Sequence, residues 1–163
     1  MAEASLRAAR NPTRGGLPNA LFVLAAAESP PAELCRRANL VTVTLPWGSL
    51  LLGALALDDE AAAGIAALVE PDGTLEVLVS VADRDAARLG IAPLARGDRA
   101  AIGDRWAHYG LVVDAFEPVA AEAVAATGST WARRLTAGGR TANRAIWRLS
   151  LRLPSTEPST GRR

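Results

Sequence analysis

Apolar positions along this chain gather into short runs with two different periods. "ALFVLAAA" (20–27) is continuous and predicts a strand buried on both faces. "LVTVTL" (40–45) is β-branched and predicts a second buried strand. "TLEVLVSVA" (74–82) and "AIWRLSLRL" (145–153) alternate apolar with polar, and "LVVDAFE" (111–117) also reads as a strand. Helix-forming stretches lie between them. Residues 2–10 stop at Asn11-Pro12, and a helix can begin within Trp47 to Leu57. Asp58 to Val69 predicts a helix with Asp58, Asp59 and Glu60 favourable in its first turn. Asp98 to Tyr109 predicts another, stopped at Gly110. Pro30 to Arg37 is a short helix or turn, and Pro118 to Ala126 a short helix. Arg14 to Asn19 is a loop, Pro71-Asp72-Gly73 a turn, 83–96 a loop with room for a helical turn, and 127–143 irregular.

Strands alternating with helices predict an α/β sheet. The last two strands lack a full helix between them, so an antiparallel pair at one edge is expected. With 163 residues, one domain is expected, spanning 1–153, with a disordered tail over 154–163. No secretory signal is legible, since 20–27 leads into Glu28-Ser29-Pro30-Pro31 and not into a small-residue cleavage site. The apolar run Leu50 to Leu57 is too short to span a bilayer. Cys35 has no second cysteine to pair with, and with His108 it makes no zinc site. A cytoplasmic protein without a bound metal is expected.

All 18 basic residues are arginine, which a GC-rich genome explains. Their distribution says more. Residues 1–56 carry net charge +2, residues 57–122 carry −8, and residues 123–163 carry +7. A basic C-terminal quarter beside an acidic middle suggests a face able to meet phosphate. A solvated tail would explain Arg162 and Arg163. It fits Arg133 to Arg152 less well, because Trp131, Ile146, Trp147 and Leu149 share that stretch.

Ordinary catalytic signatures are absent. The chain has no phosphate-binding glycine loop of either common type, no nucleophile elbow and no paired metal-binding histidines. His108, on the polar side of its helix, makes a poor catalytic base. What stands out lies where α/β sheets bind ligands, beyond the carboxyl ends of strands. "AAAE" (25–28) closes the first strand, "LPWG" (45–48) closes the second, and "GSTWARRL" (128–135) lies between the last two. Trp47 and Trp131 can then converge on one cleft rimmed by arginines, as a flipped-out nucleobase requires. The alternative is that both tryptophans belong to the core.

"NPTRGGLPNALFVLAAAE", "LPWGSLL" and "STWARRL", in this order and spacing, closely resemble the aminoglycoside-resistance methyltransferases of the kanamycin–apramycin type. These modify N1 of adenine 1408 in bacterial 16S rRNA, using S-adenosylmethionine. The resemblance covers about residues 2–153, more loosely over 83–127. It implies a Rossmann-like S-adenosylmethionine-dependent methyltransferase fold, whose sheet ends in an antiparallel pair. It also implies roles: Trp47 and Trp131 sandwich the flipped adenine, and Ala27 and Glu28 line the cofactor's adenine pocket. Leu45 and Pro46 form the floor beside the methyl donor, and Ser129 lies near the cofactor's methionine end. Arg10, Arg14 and Arg134 grip rRNA. Arg140 and Arg144 follow at a greater distance than in the family, because Gly138-Gly139 intervene. The implied partner is the 30S subunit, bound by a monomer.

The resemblance also marks a departure. The family's cofactor site starts with a strand, a Gly-rich loop and a helix, then a second strand ending in an acid. None of these is present in the 163 residues. The domain is therefore expected to be N-terminally truncated, either because Met1 is an internal methionine of a longer protein or because the chain is a remnant. A remnant would dock on RNA without methylating it; a third option is a methyltransferase of the same fold with another substrate. The truncation predicts an exposed apolar edge at 20–27, a polypeptide that is poorly folded or associates, and weak or no cofactor binding by it.

Overall fold

The computed structural model describes residues 19–20, 23–81, 83–120, 124 and 145–155. A 3-10 turn at Ala32–Leu34 leads into strand β1 (Ala38–Thr44), helix α1 (Ser49–Ala54), helix α2 (Asp59–Leu68) and strand β2 (Val69–Val79). Helix α3 (Asp83–Leu89), a 3-10 turn (Arg96–Asp98), helix α4 (Arg99–Ala107), strand β3 (Val112–Val119) and strand β4 (Ile146–Arg152) follow. The sheet order is β1-β2-β4-β3. β1 and β2 are parallel, and β4 runs antiparallel to both β2 and β3. The final pair is thus antiparallel as expected, but β4 is inserted between β2 and β3, so that of this pair β3 alone lies at an edge.

Alternation decides which side chains meet the helices. Leu75, Val77 and Val79 of β2 stand beside Leu151, Leu149 and Trp147 of β4 in register. They pack with Leu51, Leu55 and Ile65 of the α1–α2 layer and with Ile102 and Trp106 of α4. Asp58 starts α2 as the sequence suggests, its Oδ1 accepting from Ala61 N at 3.0 Å. Arg105 Nε donates to Leu55 O (3.0 Å) and Tyr109 Oη to Asp59 Oδ1 (2.9 Å), tying α4 to the α1–α2 layer. The other sheet face carries a polar cross-strand row, Thr42, Glu76 and Ser150. Arg148 pairs there with Glu117, and Arg152 Nε lies 3.5 Å from Asp114 Oδ2.

Three expectations need correction. The run 20–27 forms no strand among its described residues. Ser29 N donates to Ala26 O (3.2 Å), closing a tight turn there. That turn docks on α2 where Gly64 leaves room: a Cβ on Gly64 would lie 1.8 Å from Ala27 O. A doubly buried strand needs a neighbour to complete its hydrogen bonds, and β1, the end strand of the sheet, does not pair with the described residues of this run. Leu24 is consequently 91% exposed. Second, β1 is an edge strand covered on one face, with Leu40 52% exposed. Third, Pro118 and Val119 extend β3 instead of opening a helix. Of the rest of that helix Val124 is described and helical. The predicted turn at Pro71-Asp72-Gly73 is present as a bulge within β2, with Asp72 at φ 62°. The helix over 2–10 and the irregular stretch 127–143 lie outside the described residues.

Candidate active site

The parallel strands β1, β2 and β3 end along one side of the sheet, and β4 begins there, with Val119 paired to Ile146. β1 does not simply stop at Thr44. Leu45 N donates to Leu78 O at 2.7 Å, which prolongs the ladder by one step. Leu45 does this at φ 51°, a left-handed conformation costly for a branched side chain. Burial holds it there: Leu45 packs with Val124, Ile146 and Val119 in an apolar cluster separate from the main core.

Pro46 is buried next to it. Trp47 then emerges 78% exposed. Gly48 follows at φ 63° and ψ −139° and turns the chain into α1. That backbone conformation is accessible to glycine and strained for other residues. A buried dipeptide therefore presents one large aromatic face to solvent at the carboxyl edge of the sheet. This removes the possibility that Trp47 is a core residue.

Ala27 and Glu28 occupy the tight turn at 26–29. Ala27 packs on the main core, whereas Leu45 rests on the second cluster. The Glu28 carboxylate is exposed and forms no ion pair among the described residues. Ser129, Trp131, Arg10, Arg14, Arg134, Arg140 and Arg144 lie outside the described residues. The chain from Val119 to Ile146, which carries Ser129, Trp131 and Arg134, leaves and re-enters the sheet at the edge where Trp47 stands.

One residue at this edge escaped the sequence reading. Ser80 directly follows β2 and is 7% exposed, the one buried polar side chain among the described residues. Its Oγ finds no hydrogen-bond partner among the described residues. The visible signal is a hydroxyl residue inside the otherwise apolar run Val77 to Ala82. His108, by contrast, uses Nδ1 to donate to Asp104 O (2.8 Å) on the exposed side of α4, away from this edge. Among the described residues no cluster of acids, histidine and cysteine can hold a metal ion. No helix among them is long and apolar enough to cross a membrane.

Residues 1–149 match the family NpmA, 16S rRNA (adenine(1408)-N(1))-methyltransferase. The chain belongs to this family. A 16S rRNA (adenine(1408)-N(1))-methyltransferase of Streptoalloteichus hindustanus is 34% identical over 139 residues, which are 83% of this chain and 64% of the relative. An rRNA methyltransferase of Saccharopolyspora hirsuta is 49% identical over 65 residues, 40% of this chain and 41% of its own length. Among solved structures, a tryptophan-to-alanine mutant of the Catenulisporales acidiphilia 16S rRNA (adenine(1408)-N(1))-methyltransferase, crystallised with its cosubstrate SAM, superposes with a TM-score of 0.82 at 28% identity. That match covers 98% of this chain and 73% of the other. The aminoglycoside resistance methyltransferase NpmB1 gives a TM-score of 0.73 at 35% identity, over 94% of this chain and 70% of its own. The chain thus spans less than two thirds of the length of these curated relatives. The fold is that of the S-adenosylmethionine-dependent methyltransferases.

Proposed function

We propose that this protein takes part in methyl transfer from S-adenosylmethionine to N1 of adenine 1408 in the 16S rRNA of the 30S subunit, a modification that gives aminoglycoside resistance. The observation that carries the reading is Trp47: an exposed indole on a buried, backbone-locked Leu45-Pro46 step at the carboxyl edge of the sheet. An indole face at such a site suits a base swung out of its stack. Trp131 is proposed as the second face of the clamp. Arg10, Arg14, Arg134, Arg140 and Arg144 are proposed to meet the RNA backbone.

The cofactor has an apolar and a polar surface. Leu45 and Pro46 would give an apolar floor, and the exposed Glu28 carboxylate beside Ala27, without an ion pair among the described residues, suits the polar edge of an adenosine. Ser129 would meet the methionine end. When bound, S-adenosylmethionine supplies an electrophilic methyl group on a sulfonium.

The protein's own task is orientation. Adenine N1 carries an in-plane lone pair and no proton, so no general base is required. The absence of a catalytic histidine or cysteine at this edge is compatible with that chemistry. Trp47 fixes the plane of the base, which makes the encounter effectively intramolecular. Its π face also favours the positive charge that grows on the ring, by about 0.5–2 kcal/mol.

The test is primer extension on 16S rRNA from cells expressing the gene. A stop at adenine 1408, lost in Trp47→Ala, is expected. Ribosome binding without any stop would instead favour a non-catalytic RNA-binding role, and a stop at another base would mean a different substrate.

A further inference from the structure

The hydroxyl of Ser80 is a buried polar group with no partner among the described residues. Such a group costs about 1–3 kcal/mol when no partner answers it. Proteins tolerate such groups where a ligand supplies the missing partner. Ser80 sits at the carboxyl end of β2, two residues past Leu78, whose carbonyl anchors Leu45. Continuing the β2–β4 register one step beyond Val79↔Trp147 places Ser80 opposite Ile146. Ile146 is a member of the cluster that holds Leu45. The orphan hydroxyl and the Leu45-Pro46-Trp47 step are therefore carried by neighbouring strand ends.

We infer that Ser80 positions the target base by accepting a hydrogen bond from its exocyclic N6 amino group. This rests on the adenine-N1 reading above. The chemistry selects this edge of the base. A hydroxyl donating to N1 would occupy the lone pair that must attack. A hydroxyl accepting from N6–H leaves N1 free and fixes its direction. During transfer the N1–methyl bond forms, the sulfur–methyl bond breaks with its electron pair left on sulfur, and the positive charge moves to the ring. No proton leaves. The N6 hydrogens become more acidic as that charge grows, so the bond to Ser80 Oγ strengthens on the way to the transition state. Interactions of that kind raise rate and not merely affinity. Ser80 is thus a specificity-determining contact for a 6-aminopurine.

The experiment is a cycle between protein and substrate. The full-length gene product, wild type and Ser80→Ala, is assayed on 30S subunits carrying either adenosine or purine riboside, which lacks the amino group, at position 1408. Ser80→Ala is expected to lower kcat/KM on adenosine about tenfold and to leave the rate on purine riboside unchanged. S-adenosylhomocysteine affinity by calorimetry stays the same. The melting temperature stays the same or rises by about 2–4 °C, because an unanswered hydroxyl has been removed. Equal losses on both substrates, or no loss on adenosine, overturn the inference. A weaker S-adenosylhomocysteine affinity that accounts for the loss assigns the hydroxyl to the cofactor and also overturns it. Failure of the wild type to methylate either substrate is a different result: it removes the adenine-N1 reading itself, and this contact with it.

Discussion

The two ends of the sheet are built to opposite specifications. At the amino-terminal end the polar groups of the turns at Arg36 and Asp72 find partners. Arg36 N donates to Ala67 O (2.7 Å), and its Nη1 donates to Val69 O (3.3 Å). Asp72 N donates to Leu153 O (2.7 Å), Leu153 N to Gly73 O (3.0 Å), and Ser155 N to Asp72 Oδ1 (3.1 Å). Left-handed residues occur there too, at Arg36 and Asp72, and those bonds hold them. At the carboxyl end Leu45 is also left-handed, but it is followed by an exposed indole and flanked by an unanswered hydroxyl. One end closes the fold. The other leaves interactions unmade, which is what a site awaiting a ligand needs.

This contrast predicts that substitutions near the amino-terminal end cost stability, and those at the carboxyl end cost activity. The largest effect is expected for Leu151→Ala, which empties a fully buried position beside Leu75 and Val113. Denaturant unfolding should show a loss of about 2–5 kcal/mol. Trp47→Ala should remove about 1–3 kcal/mol of base stacking, roughly a ten- to hundredfold drop in methylation rate. Its unfolding midpoint should not move, since the indole is exposed; a large stability loss would break the contrast. Asp72→Ala should cost about 1 kcal/mol, because alanine tolerates φ 62° poorly and the bond from Ser155 N is lost. Methylation by this variant should be unchanged.

The smallest expected effect concerns alkaline pH. Partial burial, then the hydrogen bond and charge of Asp59 and the charge of Asp58, push the Tyr109 phenol above its ordinary value. Its protonated form is thus favoured by the fold. That contribution is complete below the unfolded value of about 10 and fades as pH rises through the higher folded value. The chain has no lysine and one tyrosine, so few other groups titrate in this range. Unfolding measured at pH 9 and pH 11 should show a stability loss in the wild type that Tyr109→Phe diminishes.

Most elements were legible where local chemistry decides alone. Asp58 caps α2 because its side chain reaches a free amide three residues on. β2 and β4 alternate because one face meets helices and the other meets Thr, Glu, Ser and Arg. The reading failed at 20–27, where apolarity was taken for a strand. A strand is a relation between segments, and no described strand pairs with this run. It failed in part at Pro118, where proline suggested a helix start but sits in β3 at the sheet's edge, where its missing amide donor is tolerated.

For the site, the sequence by itself determined the residue types. Pro-Trp-Gly closes a strand, a second tryptophan lies before the last strand, and the arginines gather toward the C-terminus. It also carried enough similarity to place the chain among the adenine-1408 methyltransferases. Only the tertiary structure decided that Trp47 is exposed and not core, because exposure depends on Leu45 being held left-handed by Ile146, Val119 and Val124, residues far away in sequence. Only it revealed Ser80, because a hydroxyl is ordinary until burial leaves it without a partner among the described residues.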